Sequence, residues 1–240
     1  MRNARVVSEQ RAPYGRRGVR TAREGVPLLV DGAKLDADEF LRRYLTTDED
    51  FRAELIDGVV HVIPSFVRIQ FHGEPDSLIQ TWAGTYAIGT RGVKSATNST
   101  AKLSTKDVPQ PDALLRILPE FGGKARVASD GYLEGAPELV VEIGASSALS
   151  DAREKRESYL KAGVPEYILW QTERAELDWW KLENGEYVPL QPSADGVLRS
   201  RVFPGLWLDK NALLSADGAR VLEVLQMGLK SAEHRAFCRK

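Results

Sequence analysis

The sequence predicts an α/β (α+β) fold, a β-sheet covered by helices with an added β-hairpin, and two stretches carry that prediction. Residues 136–170, "APELVVEIGASSALSDAREKRESYLKAGVPEYILW", read as strand, loop, helix, strand. A βαβ unit of this kind implies parallel pairing, a right-handed crossover and helices over the sheet. Residues 176–190, "ELDWWKLENGEYVPL", read as an antiparallel hairpin turning at Asn184-Gly185. With 240 residues the chain can bury a substantial core, and one large domain with tails is expected.

The elements follow in order. Residues 1 to about 25 carry seven arginines against two glutamates with no apolar periodicity, so 1–35 is expected to be a flexible basic arm. "DADEFLRRYL" is a short helix with Phe40, Leu41 and Tyr44 at helical spacing and Asp36 as its cap. In "RAELIDGVVHVIPS" the "DG" marks a tight turn between strands Ala53–Ile56 and Val59–Ile63. "EPDSLIQTWAGTYAI", beginning near Glu74, puts Leu78, Ile79, Trp82 and Tyr86 on one helical face. Strands are expected around Lys94–Thr97, Ala101–Ser104 and Asp112–Ile117, and the charged, glycine-rich stretch Pro119–Gly135 reads as loop. Within the βαβ segment "LVVEI" is a buried strand, "GASSALS" a loop, and "EYILW" a second strand. The helix between them has Asp151 near its cap, Glu154 three residues on, and Gly163 as its stop. "LRSRVFPGLWL" adds a short strand and a loop. Residues 215–240 form a C-terminal helix and tail, whose Leu222, Leu225 and Leu229 stripe suits core packing or a dimer contact. The globular domain is therefore expected over 36–214.

Composition excludes some classes. Formal charge is −1, so any nucleic-acid surface must be local; Arg52, Arg68, Arg91, Lys94 and Lys102 can supply one, and a solvated face explains them equally. The single cysteine, Cys238, rules out an intrachain disulfide and fits a reducing cytoplasm. No apolar run approaches the roughly 18–20 residues that span a bilayer, and the N-terminus lacks a secretory apolar core, so a soluble cytoplasmic protein is expected.

Four charged residues sit where apolar ones belong. Glu142 interrupts Leu139, Val140, Val141 and Ile143, a run that marks a central strand. Burying an unpaired carboxylate costs several kcal/mol, so Glu142 must be neutralised, paired or bound to a cation. Lys155 shares a helical face with Ala152, Tyr159 and Ala162, either snorkelling at the core edge or reaching back over the strand end. Asp112 stands directly ahead of a strand after Pro111, where a turn cap is an equal explanation. Glu54 precedes the "DG" turn. Magnesium takes one or two carboxylates plus waters and phosphate oxygens, and a nearby lysine stabilises developing negative charge. Three acids and a lysine therefore point to phosphodiester hydrolysis. His72 is read as a surface-loop residue or a phosphate contact, and Asn98 as a turn residue or a hydrogen-bonding neighbour of the site. His61 and His234 form no metal-ligand cluster, which argues against zinc.

In "ELIDGVV" (54–60), "PQPDALL" (109–115), "PELVVEIGASS" (137–147), "DAREKRESYLKAGVPEYILW" (151–170) and "VFPGLWLD" (202–209) the chain resembles the Uma2 family of endonucleases. That family, formerly a domain of unknown function (DUF820), belongs to the PD-(D/E)XK, restriction-endonuclease-like superfamily. The resemblance implies a mixed β-sheet flanked by helices, with Asp112 as the aspartate of the "PD" motif and Glu142 as the second acid. The standard pattern has a lysine two residues after that acid, where this chain has Gly144. Family members look as though that lysine has moved to the following helix, and Lys155 is the matching position. Glu54 would be an additional carboxylate beside the metal or the water.

The expected function is a Mg2+- or Mn2+-dependent nuclease acting on nucleic acid, with DNA the favoured substrate. Glu54, Asp112 and Glu142 would hold the metal, and Lys155 would support the water or the transition-state charge. A homodimer would suit double-strand cleavage. The competing expectations are a catalytically silent nucleic-acid-binding or protein-interaction module, and a buried ionic network that needs no ligand.

Overall fold

A computed structural model describes residues 25–48, 50–63, 66–144 and 149–239, the side chains of 149–152 excepted. Most of the arginine-rich arm, the loop residues 145–148 and the expected contributions of Asp151 and Ala152 lie outside that description. Between 25 and 35, Leu29 is buried and Ala33 and Leu35 pack beside it.

Helix α1 (Ala37–Tyr44) is capped by Asp36, whose carboxylate accepts from the Glu39 N–H at 2.8 Å, and it buries Phe40 and Leu41. Strands β1 (Arg52–Ile56) and β2 (Val59–Ile63) form a separate antiparallel hairpin. Its turn residues Asp57 and Gly58 both have positive φ, 48° and 77°, the conformation that "DG" favours. A π-helical turn, Ile69–Gly73, leads into α2 (Glu74–Ile88), which buries Ile79, Trp82, Ala83 and Tyr86 and leaves Leu78 at the core margin.

The main sheet has six strands. In chain order they are β3 (Val93–Thr97), β5 (Ala113–Ile117), β8 (Leu139–Gly144), β9 (Glu166–Gln171), β10 (Glu176–Glu183) and β11 (Glu186–Pro189). Their spatial order is β11-β10-β9-β8-β5-β3, with β8 and β9 parallel and every other pair antiparallel. The parallel pair is joined by α3 (Leu149–Ala162), as the βαβ pattern requires. The β10–β11 turn at Asn184 and Gly185 again has positive φ at both residues. The expected mixed sheet flanked by helices, with an added hairpin, is the fold observed.

Pro119–Gly135, expected as loop, holds regular structure. A 3-10 turn at Pro119–Phe121 is followed by β6 (Arg126–Val127) and β7 (Leu133–Glu134), and β7 pairs with both β6 and β4 (Ala101–Lys102) in a small sheet. These strands are two residues long, too short for any periodicity to register. The expected strand Ala101–Ser104 is correspondingly shorter, and Asp112 ends up just outside β5.

Alternation along the strands separates two cores. Leu139, Val141 and Ile143 of β8, with Ile168 and Trp170 of β9, face α2 and the C-terminal elements. Those elements are β13 (Trp207–Asp209), paired with β12 (Val197–Arg199), then α4 (Lys210–Leu214), α5 (Gly218–Leu229) and α6 (Ala232–Phe237). Helix α5 buries Val221, Val224, Leu225 and Gly228 there, so its leucine stripe serves core packing, with Leu222 and Leu229 at the margin. Gly205 and Gly228 let two backbones meet: a Cβ on Gly228 would lie 2.1 Å from the Gly205 carbonyl oxygen. On the opposite face Val140, Tyr159, Val164, Tyr167, Leu169 and Trp180 pack beneath α3. Glu142, two residues after Val140, points to this second face. Among the described residues no helix is long and apolar enough to cross a membrane.

Candidate active site

The site lies where two neighbouring strands part. The last β5–β8 pair is Ala113 with Val141, so Asp112 and Glu142 would form the next rung. Instead the Asp112 carboxylate takes over the ladder bond, its Oδ2 accepting from the Ile143 N–H at 2.6 Å. Both acids are thereby held beside each other on the α3 face, 9% and 6% exposed.

Lys155 rises from α3 over this opening. Its Nζ lies 2.7 Å from Glu54 Oε2 and 3.1 Å from Glu142 Oε2, bridging the two glutamates, and the lysine is itself buried. The helical-face reading of Lys155 thus leads to the strand end rather than to solvent. Glu54, on β1, is fixed from its other side by the Gln110 N–H, 2.6 Å from Oε1. Tyr159, one turn beyond Lys155, donates its hydroxyl to Glu142 Oε1 at 2.6 Å. Glu142 therefore has one donor on each oxygen.

His72 sits in the π-helical turn with Nε2 3.5 Å from Asp112 Oδ1. Its Nδ1 is buried without a hydrogen-bond partner among the described residues. Asn98 reaches the site through its backbone, which donates to the Asp112 carbonyl at 3.2 Å, while its side chain accepts weakly from Arg52 at 3.5 Å. Glu54, Asp112, Glu142, Lys155 and His72 are thus gathered at one place, with Asn98 at its rim. Tyr159, Gln110 and Ile143 were not singled out as site residues from sequence. The signal for Tyr159 was its position four residues after Lys155 on the same face; the other two act through backbone N–H groups and leave no side-chain signature.

Electrostatics set this cluster apart from an ordinary ion pair. Burial pushes the Glu142 carboxyl up to about 8; Lys155 and Tyr159 oppose the shift, and Asp112 and Glu54 reinforce it. Burial likewise pushes Asp112 up to about 6, against His72, the Ile143 N–H and Lys155, with Asp76 adding to the rise. Glu54 and Glu142 share Lys155 while Asp112 stands beside them with His72, so among the described residues the centre has less positive than negative charge when its acids are ionised. The donor set is hard oxygen, which suits magnesium or manganese rather than a softer metal. Among the described residues no three of His, Cys, Asp and Glu surround one point as a ready cage. A Mg2+ site needs only one or two carboxylates, and Asp112 with Glu142 fits that requirement.

Comparison with known proteins agrees with this architecture. The Uma2 family model, described as "Putative restriction endonuclease", matches residues 37–211. A crystal structure from Anabaena variabilis, described as "a putative nuclease belonging to DUF820", aligns with a TM-score of 0.57 at 16% identity. The alignment covers 75% of this chain and 98% of that one, and it shows a shared fold. No curated protein matches the chain.

Proposed function

Because the chain belongs to the Uma2 family, we propose that it is a metal-dependent nuclease that hydrolyses phosphodiester bonds of DNA. The observation that carries this reading is the charge deficit of the Glu54–Lys155–Glu142 and Asp112 cluster at a sheet opening. Asp112 and Glu142 would hold Mg2+ or Mn2+, with Glu54 alongside. The ion, when bound, supplies Lewis acidity and a water of lowered pKa.

The protein's own groups do the rest. Glu54 and Glu142 hold Lys155 against the site, and its ammonium stabilises the negative charge that builds on the phosphoryl oxygens. Tyr159 and the Ile143 N–H fix the two acids in orientation without competing for charge. His72, at the edge of Asp112, is placed to contact a phosphate. Hydrolysis makes one bond from water oxygen to phosphorus and breaks one ester bond. The water's proton passes to a carboxylate or solvent, and the departing oxygen takes one up.

The test is cleavage of supercoiled plasmid, linear duplex, single-stranded DNA and RNA with magnesium or manganese, alongside Glu142→Gln and Lys155→Ala. Metal-dependent cutting lost in both variants supports the assignment. Cutting that survives in both refutes this centre. One observation favours a second reading, a non-catalytic module that keeps the fold: the Lys155 ammonium bridges Glu54 and Glu142 and so meets part of their need for positive charge. That reading expects no cutting and nucleic-acid or protein binding that is indifferent to Glu142→Gln.

A further inference from the structure

We infer that a phosphodiester backbone runs to the acid cluster along a groove between β3 and the small β4-β7-β6 sheet. This inference rests on the nuclease reading and specifies where its substrate lies. The groove has a volume of about 600 Å³, and Lys94, Asn98, Ser99, Arg116 and Tyr132 are among its lining residues.

Two features mark it as an anion track. The first is a like-charge pair. Lys94 and Arg116 stand directly opposite one another in the antiparallel β3–β5 register, which places their Cβ atoms about 5 Å apart. Like charges so opposed are unfavourable, and neither residue has a carboxylate within ion-pairing distance among the described residues. Other cations on this side are matched, as Lys102 is by Asp38 and Arg126 by Glu134. An arrangement that costs stability in the free protein is relieved when phosphates lie over both cations.

The second feature is direction. Arg116, Leu114 and Asp112 are alternate residues along β5 and its approach, so they share one face of the sheet, the face that carries Glu142. From Arg116 to Asp112 the chain advances about 13–14 Å, which matches the axial rise of roughly four base pairs of a duplex. Asn98, bonded through its N–H to the Asp112 carbonyl and through its side chain to Arg52, lies at the Asp112 end and also lines the groove. The groove thus has two cations at its far end and Asn98 at the end nearest the acids.

The decisive variant is Lys94→Glu, which replaces repulsion across the rung with an ion pair to Arg116. It is expected to hold or raise the thermal midpoint while weakening binding, a combination that misfolding cannot mimic. Binding is read by fluorescence anisotropy with a short labelled duplex in chelator, with single-stranded DNA and RNA as further probes. Affinity at low salt should fall roughly tenfold or more, and the slope of log K against log[salt] should shrink by about 1–2, near 0.9 for each phosphate no longer neutralised. Lys94→Arg should bind as the parent does. A Lys94→Glu protein with unchanged affinity and slope overturns the groove, as does a parent protein that binds none of the probes. Parallel cleavage assays separate the two proposals. A protein that cuts nothing yet loses binding in Lys94→Glu keeps the groove and removes hydrolysis. One that cuts in a Glu142-dependent manner but binds equally in Lys94→Glu keeps hydrolysis and removes the groove.

Discussion

Two glutamates on adjacent central strands, Glu166 and Glu142, are buried to similar degrees and held in opposite ways. Glu166 faces the larger core and is wholly inaccessible. It accepts from the Trp179 indole at 3.2 Å, the Ser200 hydroxyl at 2.8 Å and the N–H groups of Arg201 and Val202 at 2.6 and 3.3 Å. Burial raises its carboxyl above the ordinary value, and these four neutral donors restrain the rise. Every donor is a fixed dipole, and the carboxylate acts as a knot between β9, β10 and the loop before β13. Glu142 instead shares one lysine with Glu54, stands beside Asp112, and has Tyr159 as its neutral donor. A saturated acid is architecture; an acid crowded by others is a place where a cation or a proton has work to do.

Breaking that contrast should have its largest effect on catalysis. Glu142→Gln or Asp112→Asn is expected to abolish cleavage in a plasmid assay while leaving a folded protein by circular dichroism. Lys155→Ala should lower kcat by about 10²–10³, the scale for removing one transition-state donor from a dry site. Glu166→Ala should do the reverse. It orphans four donors and should cost about 3 kcal/mol or more in urea denaturation, with little change in kcat at temperatures where the variant is folded.

The pH dependence sharpens the comparison further. Folded Glu142 and Asp112 keep their protons up to about 8 and 6, above ordinary carboxylate values, so the metal-free folded chain binds extra protons in between. The stability this contributes is complete below the ordinary carboxylate range and is lost as pH rises through about 6 and then about 8. The thermal midpoint in chelator should therefore fall between pH 5 and 8.5, and Glu142→Gln should flatten the decline. Added magnesium should raise the midpoint most at the alkaline end. A midpoint that climbs over this range would contradict the charge deficit. The smallest effect belongs to Tyr159→Phe, which removes one hydrogen bond to Glu142. It should cost about 1 kcal/mol and move the metal-free transition to higher pH.

Much of this was legible in the chain, for identifiable reasons. "DG" and "NG" specify both hairpin turns because they tolerate consecutive positive φ. The long α2 stripe and the βαβ pattern are period signals sustained over enough residues to register. The two-residue strands β6 and β7 carry no period, and the order β11-β10-β9-β8-β5-β3 depends on contacts far apart in sequence. In the site, Glu142 was visible because it interrupts a uniformly apolar run. Glu166 and Glu138 were not, because each stands at a strand boundary where a charged residue looks ordinary. Glu138 is nonetheless buried, accepting from the N–H groups of Ile117 and Lys124. Glu54 and Lys155 were expected in one cluster, but their direct contact was not legible, since it depends on how a separate hairpin docks against α3.

Asp107, a residue remote from any reacting atom, takes part in that docking. Its Oδ1 accepts from the Asp57 N–H at 3.0 Å and the Ser158 hydroxyl at 2.6 Å, and its Oδ2 from the Ser104 hydroxyl at 2.7 Å. One carboxylate thereby joins the hairpin turn, α3 and the loop after β4, and with the paired Leu55–Val108 backbone bonds it ties the strand of Glu54 to the helix of Lys155. Its evolutionary consequence is epistasis. The hydroxyls of Ser104 and Ser158 both donate to the carboxylate at 107, so the three positions should tend to vary together among homologous chains even where none of them meets a substrate.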